Sequence, residues 1–172
     1  KLQRVAKLQK INLLKNMRRK VKNRNTAGPD PKYNSDTLGK FINYVMWDGK
    51  KVTARGVIYD MLDVLAEKGH TENPLELFDT AIKAVAPQVE VRSRRVGGAN
   101  YQVPYEVRPE RKIFLAMTWI IIAARKKKGK PMHLKLADEI FAATKGEGEA
   151  MKKRETTHKM AEANKAFAHM AW

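Results

Sequence analysis

A chain of 172 residues, of which 43% are hydrophobic, is long enough to bury a core and fold as a single domain. It has 35 Lys and Arg against 18 Asp and Glu, and the resulting net charge of +17 predicts a polyanionic partner. The absence of Cys excludes disulfide frameworks, Cys nucleophiles and Cys-ligated zinc, and the four His residues lack the spacing of a metal site.

The positive charge is concentrated at the two ends of the chain. Residues 1–29 contain ten Lys and Arg and no acid, residues 30–109 contain eleven residues of each sign, and residues 110–172 contain fourteen basic and seven acidic residues. An acid-free basic segment favours anion binding over a merely solvated surface. We therefore expect residues 1–28 to form a basic arm and residues 29–172 to form one folded domain.

Hydrophobic periodicity and capping residues predict six helices. In chain order, the residues at which these helices begin and end are Ser35 and Asp48, Val52 and Lys68, Asn73 and Pro87, Pro109 and Lys128, Met132 and Thr144, and Glu149 and His169. Ser35 is expected to cap the first helix, and Asn73 with Glu76 forms a capping-box pattern at the third.

The fourth helix contains the longest apolar run of the chain, from Ile113 to Ala124 with Thr118 as its polar break. A membrane-spanning helix needs about 20 apolar residues, so this run predicts a buried core helix instead. Trp119 is accordingly expected to lie in the core.

Between the third and fourth helices the hydrophobic period changes to two. The segments Gln88 to Val96 and Tyr101 to Val107 alternate, and Gly97-Gly98 between them is typical of a hairpin turn. A lone two-stranded ribbon is not stable, so it must pack on helices or on a partner. The predicted fold is mainly α: a six-helix, bundle-like domain with a protruding two-stranded β-ribbon, at about residues 88–108, between helices 3 and 4.

No combination of residues predicts catalysis. Ser35 and Ser93 are the only serines, and neither lies in a nucleophile elbow. Glu155, His158 and Glu162 share a helix face, where ordinary pairing on a surface helix explains them. We expect no catalytic residues, no metal, no cofactor, no small-molecule substrate and no membrane partner.

The ribbon carries the strongest sign of a binding function. Arg92, Arg94 and Arg95 precede the glycine turn, and guanidiniums bind phosphates bidentately. Tyr101 and Tyr105 add rings that can stack on bases. The alternative is an edge strand protected by its charge, but such edges favour Lys and need no glycine tip. The ribbon therefore predicts binding to RNA or DNA.

Several motifs match a known family in order and spacing. The matching segments are 29–33, 47–51, 89–99, 101–104 and 107–111, which read PDPKY, WDGKK, VEVRSRRVGGA, YQVP and VRPER, together with the ending at 160–169, MAEANKAFAH. From about Pro29 to Trp172 the chain resembles the small-subunit ribosomal protein seven family, with a tail of the bacterial type.

The resemblance implies a structural protein that binds the 3′ major domain of small-subunit rRNA, initiates assembly of the head of the small subunit, and lies near the exit-site (E-site) tRNA and the mRNA path. Neighbouring small-subunit proteins are further implied partners. The residues that it assigns to rRNA are Arg18, Arg19, Lys20, Lys22, Lys32, Lys50, Lys51, Arg92, Arg108, Arg111 and Lys112. Those assigned to the vicinity of the mRNA and the E-site tRNA are Arg94, Arg95, Gly97 and Gly98.

The chain departs from the family at its start. A typical bacterial member begins at the position of Met17, so residues 1–16 are expected to be an extension. Removal of a presequence would explain both the extension and the missing Met at residue 1, which favours the mitochondrial matrix or another organelle over the bacterial cytoplasm. The alternative function is a DNA-binding architectural protein that uses the ribbon as an arm. It would need a dimer and an apolar wedge at the ribbon tip, and Gly97-Gly98 supplies no wedge. An RNA-processing enzyme would need acid/base or metal groups, which these residues do not form.

Overall fold

The computed structural model describes residues 28–70 and 72–170, so the predicted basic arm, including Arg18, Arg19, Lys20 and Lys22, lies outside the described residues apart from Gly28. Within these ranges the chain forms six α-helices, one two-stranded antiparallel β-ribbon and a short 3-10 helix. The elements are α1 (Asp36–Val45), α2 (Lys51–Gly69), α3 (Pro74–Val85), β1 (Val89–Val96), β2 (Ala99–Glu106), α4 (Pro109–Lys126), α5 (Met132–Thr144), α6 (Glu149–Ala163) and the 3-10 helix (Lys165–Met170).

The predicted fold class is confirmed, because the chain is mainly helical and the ribbon lies between α3 and α4. The last helix differs from the prediction. It ends at Ala163, and residues 165–170 continue as a 3-10 helix. Asn164 ends α6 with a side-chain hydrogen bond from Nδ2 to the Met160 carbonyl, 2.8 Å long. Asn side chains compete in this way for helical backbone groups, so they favour helix ends.

The two predicted helix caps have different outcomes. Ser35 Oγ accepts the Leu38 N–H at 3.3 Å, as expected for an N-cap. At α3 the capping box is not formed, because Asn73 Nδ2 donates to Glu76 Oε1 at 3.0 Å instead of accepting a backbone N–H. Pro74 at the first helical position still fixes the start of α3.

The core is built from apolar faces of all six helices. At its centre the rings of Phe41 and Phe78 meet edge to face, with centroids 5.1 Å apart. The prediction for α4 is only partly right. Met117 and Ile120 are fully buried, but Trp119 is half-buried against the core rather than inside it.

The ribbon has the predicted two-residue turn. Val96 pairs with Ala99, and Gly97 and Gly98 have φ angles of 57° and 91°, a conformation that disfavours residues with a Cβ. The base of the ribbon is attached to α6, where the Gln88 N–H donates to His158 Nε2 at 3.1 Å. The surface pairing predicted for His158 is therefore replaced by a structural contact with the ribbon.

A buried carboxylate connects the last three helices. Glu139 of α5 is fully buried, and its Oε1 accepts the Ala150 N–H in the first turn of α6 at 3.0 Å. Lys127, just after α4, places its Nζ 2.6 Å from Glu139 Oε2. Gly148 lies against the same carboxylate with a φ of 103°, and a Cβ there would come within 2.8 Å of Oε1.

Among residues 28–70 and 72–170, no helix combines the length and the apolar character that crossing a bilayer requires.

We expect Glu139→Ala to lower the free energy of unfolding by about 3 kcal/mol, because it leaves the Ala150 N–H unsatisfied and Lys127 without its counter-charge. Urea unfolding followed by circular dichroism measures this loss. The matched control is Asp138→Asn on the same helix, whose pairs with Lys68 and Lys130 are partly exposed. The control should cost about 1 kcal/mol or less. Equal losses for the two variants would contradict the structural role of Glu139.

We expect His158 to make the contact between α6 and the ribbon sensitive to pH. Burial lowers the pKa of the His158 imidazole, and repulsion from the Arg154 guanidinium lowers it further. The folded state therefore binds fewer protons than the unfolded state just below the ordinary pKa of about 6.5, so stability is complete above this pH and falls below it. Protonation also removes the Nε2 lone pair that accepts the Gln88 N–H.

An NMR titration of the His158 ring should give an apparent pKa below the ordinary value, and His158→Gln should flatten the decrease in stability between neutral and mildly acidic pH. An apparent pKa at or above the ordinary value would contradict this assignment.

Candidate nucleic-acid interface

The cations predicted to bind nucleic acid lie at four places in the described part of the chain. These are the base of the ribbon with the start of α4 (Arg92, Arg108, Arg111, Lys112), the turn between α1 and α2 (Lys50, Lys51), the turn before α1 (Lys32), and the ribbon tip (Arg94, Arg95, Gly97, Gly98). Of these cations, Arg92 and Arg111 are brought together by a side chain that both contact.

At the ribbon base, two of the predicted arginines meet on one carboxylate. Glu90 is 7% exposed, and its Oε1 accepts from Arg92 Nε at 2.7 Å, while Arg111 Nε lies 3.4 Å from Oε2. Each guanidinium also lies over a ring, Arg92 at 5.5 Å from the Tyr105 centroid and Arg111 at 4.8 Å from the Phe114 centroid. We call Arg92 and Arg111 the guanidinium pair. Their side chains remain 59% and 45% exposed.

Arg108 and Lys112 extend the positive charge of the guanidinium pair along the first turn of α4. Arg108 is the N-cap of α4 and is exposed, and its carbonyl accepts the Lys112 N–H at 2.9 Å. The start of α4 therefore has three basic residues, of which Arg111 shares Glu90 with Arg92 of β1.

The turn between α1 and α2 presents two lysines at a helix start. Asp48 and Gly49 have positive φ angles, 49° and 72°, which reverse the chain before α2. Lys50 is the N-cap of α2 without a side-chain capping bond, Lys51 is its first residue, and the first turn contains no acid. Cations are unfavourable at the positive end of a helix dipole. A bound anion would relieve this cost.

Two side chains that the sequence analysis did not select lie beside this turn. Trp47 is 65% exposed, and the Arg125 guanidinium lies 5.2 Å from its ring centroid. Arg125 also donates from Nη2 to the Val45 carbonyl at 3.4 Å, which fixes the end of α4 against the end of α1. A flat aromatic ring with a stacked guanidinium is a suitable platform for an unpaired base.

Further aromatic contacts lie along α4, between Arg111 and Arg125. The rings of Tyr44 and Phe114 meet edge to face at 5.5 Å, and Tyr44 is 39% exposed. Ile122, on the same helical face, is 46% exposed. The spacing of residues 111, 114, 118, 122 and 125 would have revealed this face, but the apolar run around it predicted a buried helix.

The ribbon tip is partly covered by the 3-10 helix. Arg94 Nη1 donates to the Met170 carbonyl at 2.6 Å, and the Tyr101 ring lies 5.3 Å from the Phe167 ring. Tyr105 already contacts the Arg92 guanidinium. Neither tyrosine is therefore the open stacking ring that the sequence suggested. Arg95, Gly97 and Gly98 are exposed.

Lys32 lies apart from the ribbon, against the middle of α2. Its Nζ is 5.2 Å from the Tyr33 centroid and 5.1 Å from the Tyr59 centroid. Buried Asp30 accepts from the Tyr59 hydroxyl at 3.0 Å, and burial together with this carboxylate raises the pKa of Tyr59. The lysine is exposed and held in place by two rings.

Ion pairs within the fold neutralise part of the positive charge of the chain. Lys127 pairs with Glu139, while Lys68 and Lys130 both pair with Asp138. Burial alone would raise the pKa of Asp138, but the two lysines outweigh it and leave the pKa below its ordinary value.

Comparison with known proteins identifies the family. A model of the family described as ribosomal protein S7p/S5e matches residues 17–165. The chain is 52% identical to small ribosomal subunit protein uS7 of Pseudothermotoga lettingae over 156 residues, which cover 91% of this chain and 100% of the relative. It is 56% identical to uS7 of Francisella tularensis subsp. holarctica over 144 residues, 84% of this chain and 92% of the relative.

These matches also bear on two expectations from the sequence. The family match begins at Met17, where a typical bacterial member was expected to begin. Both relatives are bacterial proteins, so they give no support to the organellar compartment that the sequence analysis favoured. The length of the match and an identity above one half show that the chain belongs to the ribosomal protein S7p/S5e family and is a structural protein of the small ribosomal subunit, not an enzyme.

Proposed function

We propose that this chain binds the 3′ major domain of small-subunit rRNA and nucleates assembly of the head of the subunit. The observation that carries the proposal is the guanidinium pair at the ribbon base. Each of these two arginines lies over an aromatic ring, and each side chain remains about half exposed. Arginine binds phosphate in a bidentate manner through the N–H donors at the edge of the guanidinium. A ring that lies against the face of the guanidinium leaves this edge accessible.

The proposed rRNA surface follows α4 from the ribbon to the turn between α1 and α2. From Arg111 to Arg125 the helix rises about 21 Å at 1.5 Å per residue, and Trp47 lies at its far end beside Lys50. Cations at both ends, with the exposed rings of Tyr44 and Trp47 on the same surface, suit an RNA whose backbone contacts the ends and whose unpaired bases stack on the rings. Lys32 and the arm residues Arg18, Arg19, Lys20 and Lys22 are proposed to extend these backbone contacts.

The ribbon tip is proposed to lie near the E-site tRNA and the mRNA path. Arg95, Gly97 and Gly98 are exposed there, which leaves one guanidinium and an open backbone for a nucleic-acid strand. Arg94 is proposed to act indirectly, because its bond to the Met170 carbonyl holds the tip against the 3-10 helix. Neighbouring small-subunit proteins are the other proposed partners.

We expect Lys51→Ala and Arg108→Ala, one at each end of the proposed rRNA surface, each to reduce the dependence of rRNA affinity on salt. Each phosphate contact that is lost should lower the slope of log affinity against log salt by about 0.7–1, because fewer counterions are released on binding. Filter binding of a 3′ major-domain transcript at four salt concentrations measures the slope. Thermal melting should be unchanged for both variants, since both side chains are exposed.

Lys152→Ala is the matched control, because Lys152 is an exposed lysine on α6 that pairs with Glu149. Its slope should equal that of the parent. Equal slopes for all three variants and the parent would reject the proposed surface, and a parent that binds the transcript no better than an unrelated RNA would reject the proposed function itself.

A further inference from the structure

We propose that Glu90 is a positioning residue for RNA binding, which holds the guanidinium pair in the orientation that phosphates require. This inference rests on the proposed function. It assigns a role in binding a polyanion to a residue that itself carries a negative charge.

Glu90 differs from the two other buried acids of the described residues. Asp30 accepts the Lys32 N–H at 3.1 Å, and Glu139 accepts the Ala150 N–H at 3.0 Å, so each supports a turn or a helix start. The hydrogen-bond partners of Glu90 are two guanidiniums, one from β1 and one from α4. Its carboxylate therefore accepts hydrogen bonds from arginine side chains rather than from backbone N–H groups.

Glu90 and two aromatic rings together fix the orientation of the two guanidinium planes. Each Nε faces the carboxylate, and Arg92 Nη2 also pairs with Oε1. Tyr105 and Phe114 lie beneath the two guanidiniums. A guanidinium has five N–H donors, so each arginine keeps donors that are not turned towards Glu90. Donors held in place lose less side-chain entropy when a phosphate binds.

The carboxylate also joins the ribbon to the helical body. Arg92 belongs to β1 and Arg111 to the first turn of α4, so their separation would follow any movement of the ribbon. The shared carboxylate belongs to a buried side chain, so it limits how far the two groups can move apart.

Simple electrostatics and positioning make opposite predictions for Glu90→Gln. The substitution raises the positive charge of the surface, so charge alone predicts tighter binding to RNA. Positioning predicts weaker binding, because a neutral amide cannot hold two guanidiniums as a carboxylate does. The sign of the change therefore separates the two explanations.

The experiment measures the affinity of the full chain for the 3′ major-domain transcript. We expect Glu90→Gln to weaken binding roughly tenfold while the salt slope stays close to that of the parent, since the same phosphates are still contacted. Glu90→Asp keeps the charge but draws the carboxylate back by one methylene, and it should also weaken binding. Tighter or unchanged binding for either variant would overturn the proposal.

A double-mutant cycle separates positioning from general support of the fold. In a chain that carries both Arg92→Ala and Arg111→Ala, Glu90→Gln should cause no further loss of affinity, because its targets are gone. A loss that persists in this background would overturn the proposal. If the parent binds the transcript but the two arginine substitutions change nothing, the proposed surface fails. If the arginine substitutions weaken binding and Glu90→Gln does not, only the inference fails.

Discussion

One buried carboxylate in the helical body positions the helix that receives the base of the ribbon. Glu139 holds the end of α4 through Lys127 and the start of α6 through the Ala150 N–H. Helix α6 in turn receives the ribbon base at His158. A buried charge is costly unless it is paired and hydrogen-bonded, so this arrangement persists only when all three helices are in place. The surface at the ribbon base thus depends on a contact in the interior.

The basic residues have two different roles: some neutralise acids within the fold, and others remain exposed to a partner. Lysines of the last third of the chain, such as Lys127 and Lys130, neutralise acids within the fold. The guanidinium pair is tethered by Glu90 but stays about half exposed. Arg92, Arg111 and Arg125 each lie over a ring, as the planar, weakly hydrated guanidinium favours. Several lysines form ion pairs instead, although Lys32 lies over two rings. Net charge alone does not distinguish a cation that closes the fold from one that faces a partner.

Local sequence patterns predicted most of the architecture. The glycine pair at 97–98 fixed the ribbon turn, and periodicity located helices such as α5, Met132–Thr144. What could not be predicted depends on residues far apart in the chain. Arg94 lies 76 residues from the carbonyl that it contacts, and Arg125 lies 80 residues from Val45. The exposed face of α4 was missed for a different reason, because a nearly continuous apolar run hides which side of a helix the neighbouring elements cover.

The 3-10 helix over the ribbon tip has a consequence for the order of folding. The strands of the ribbon are adjacent in sequence and can pair early, but Arg94 must wait for a carbonyl 76 residues further along the chain. At synthesis rates of about 5–20 residues per second, this interval is roughly 4–15 s. During that time a nascent chain would present to the nucleic acids of the cell a Tyr101 ring without its Phe167 contact and an Arg94 without its bond to the Met170 carbonyl. Synthesis of the 3-10 helix would therefore change which surface the ribbon offers.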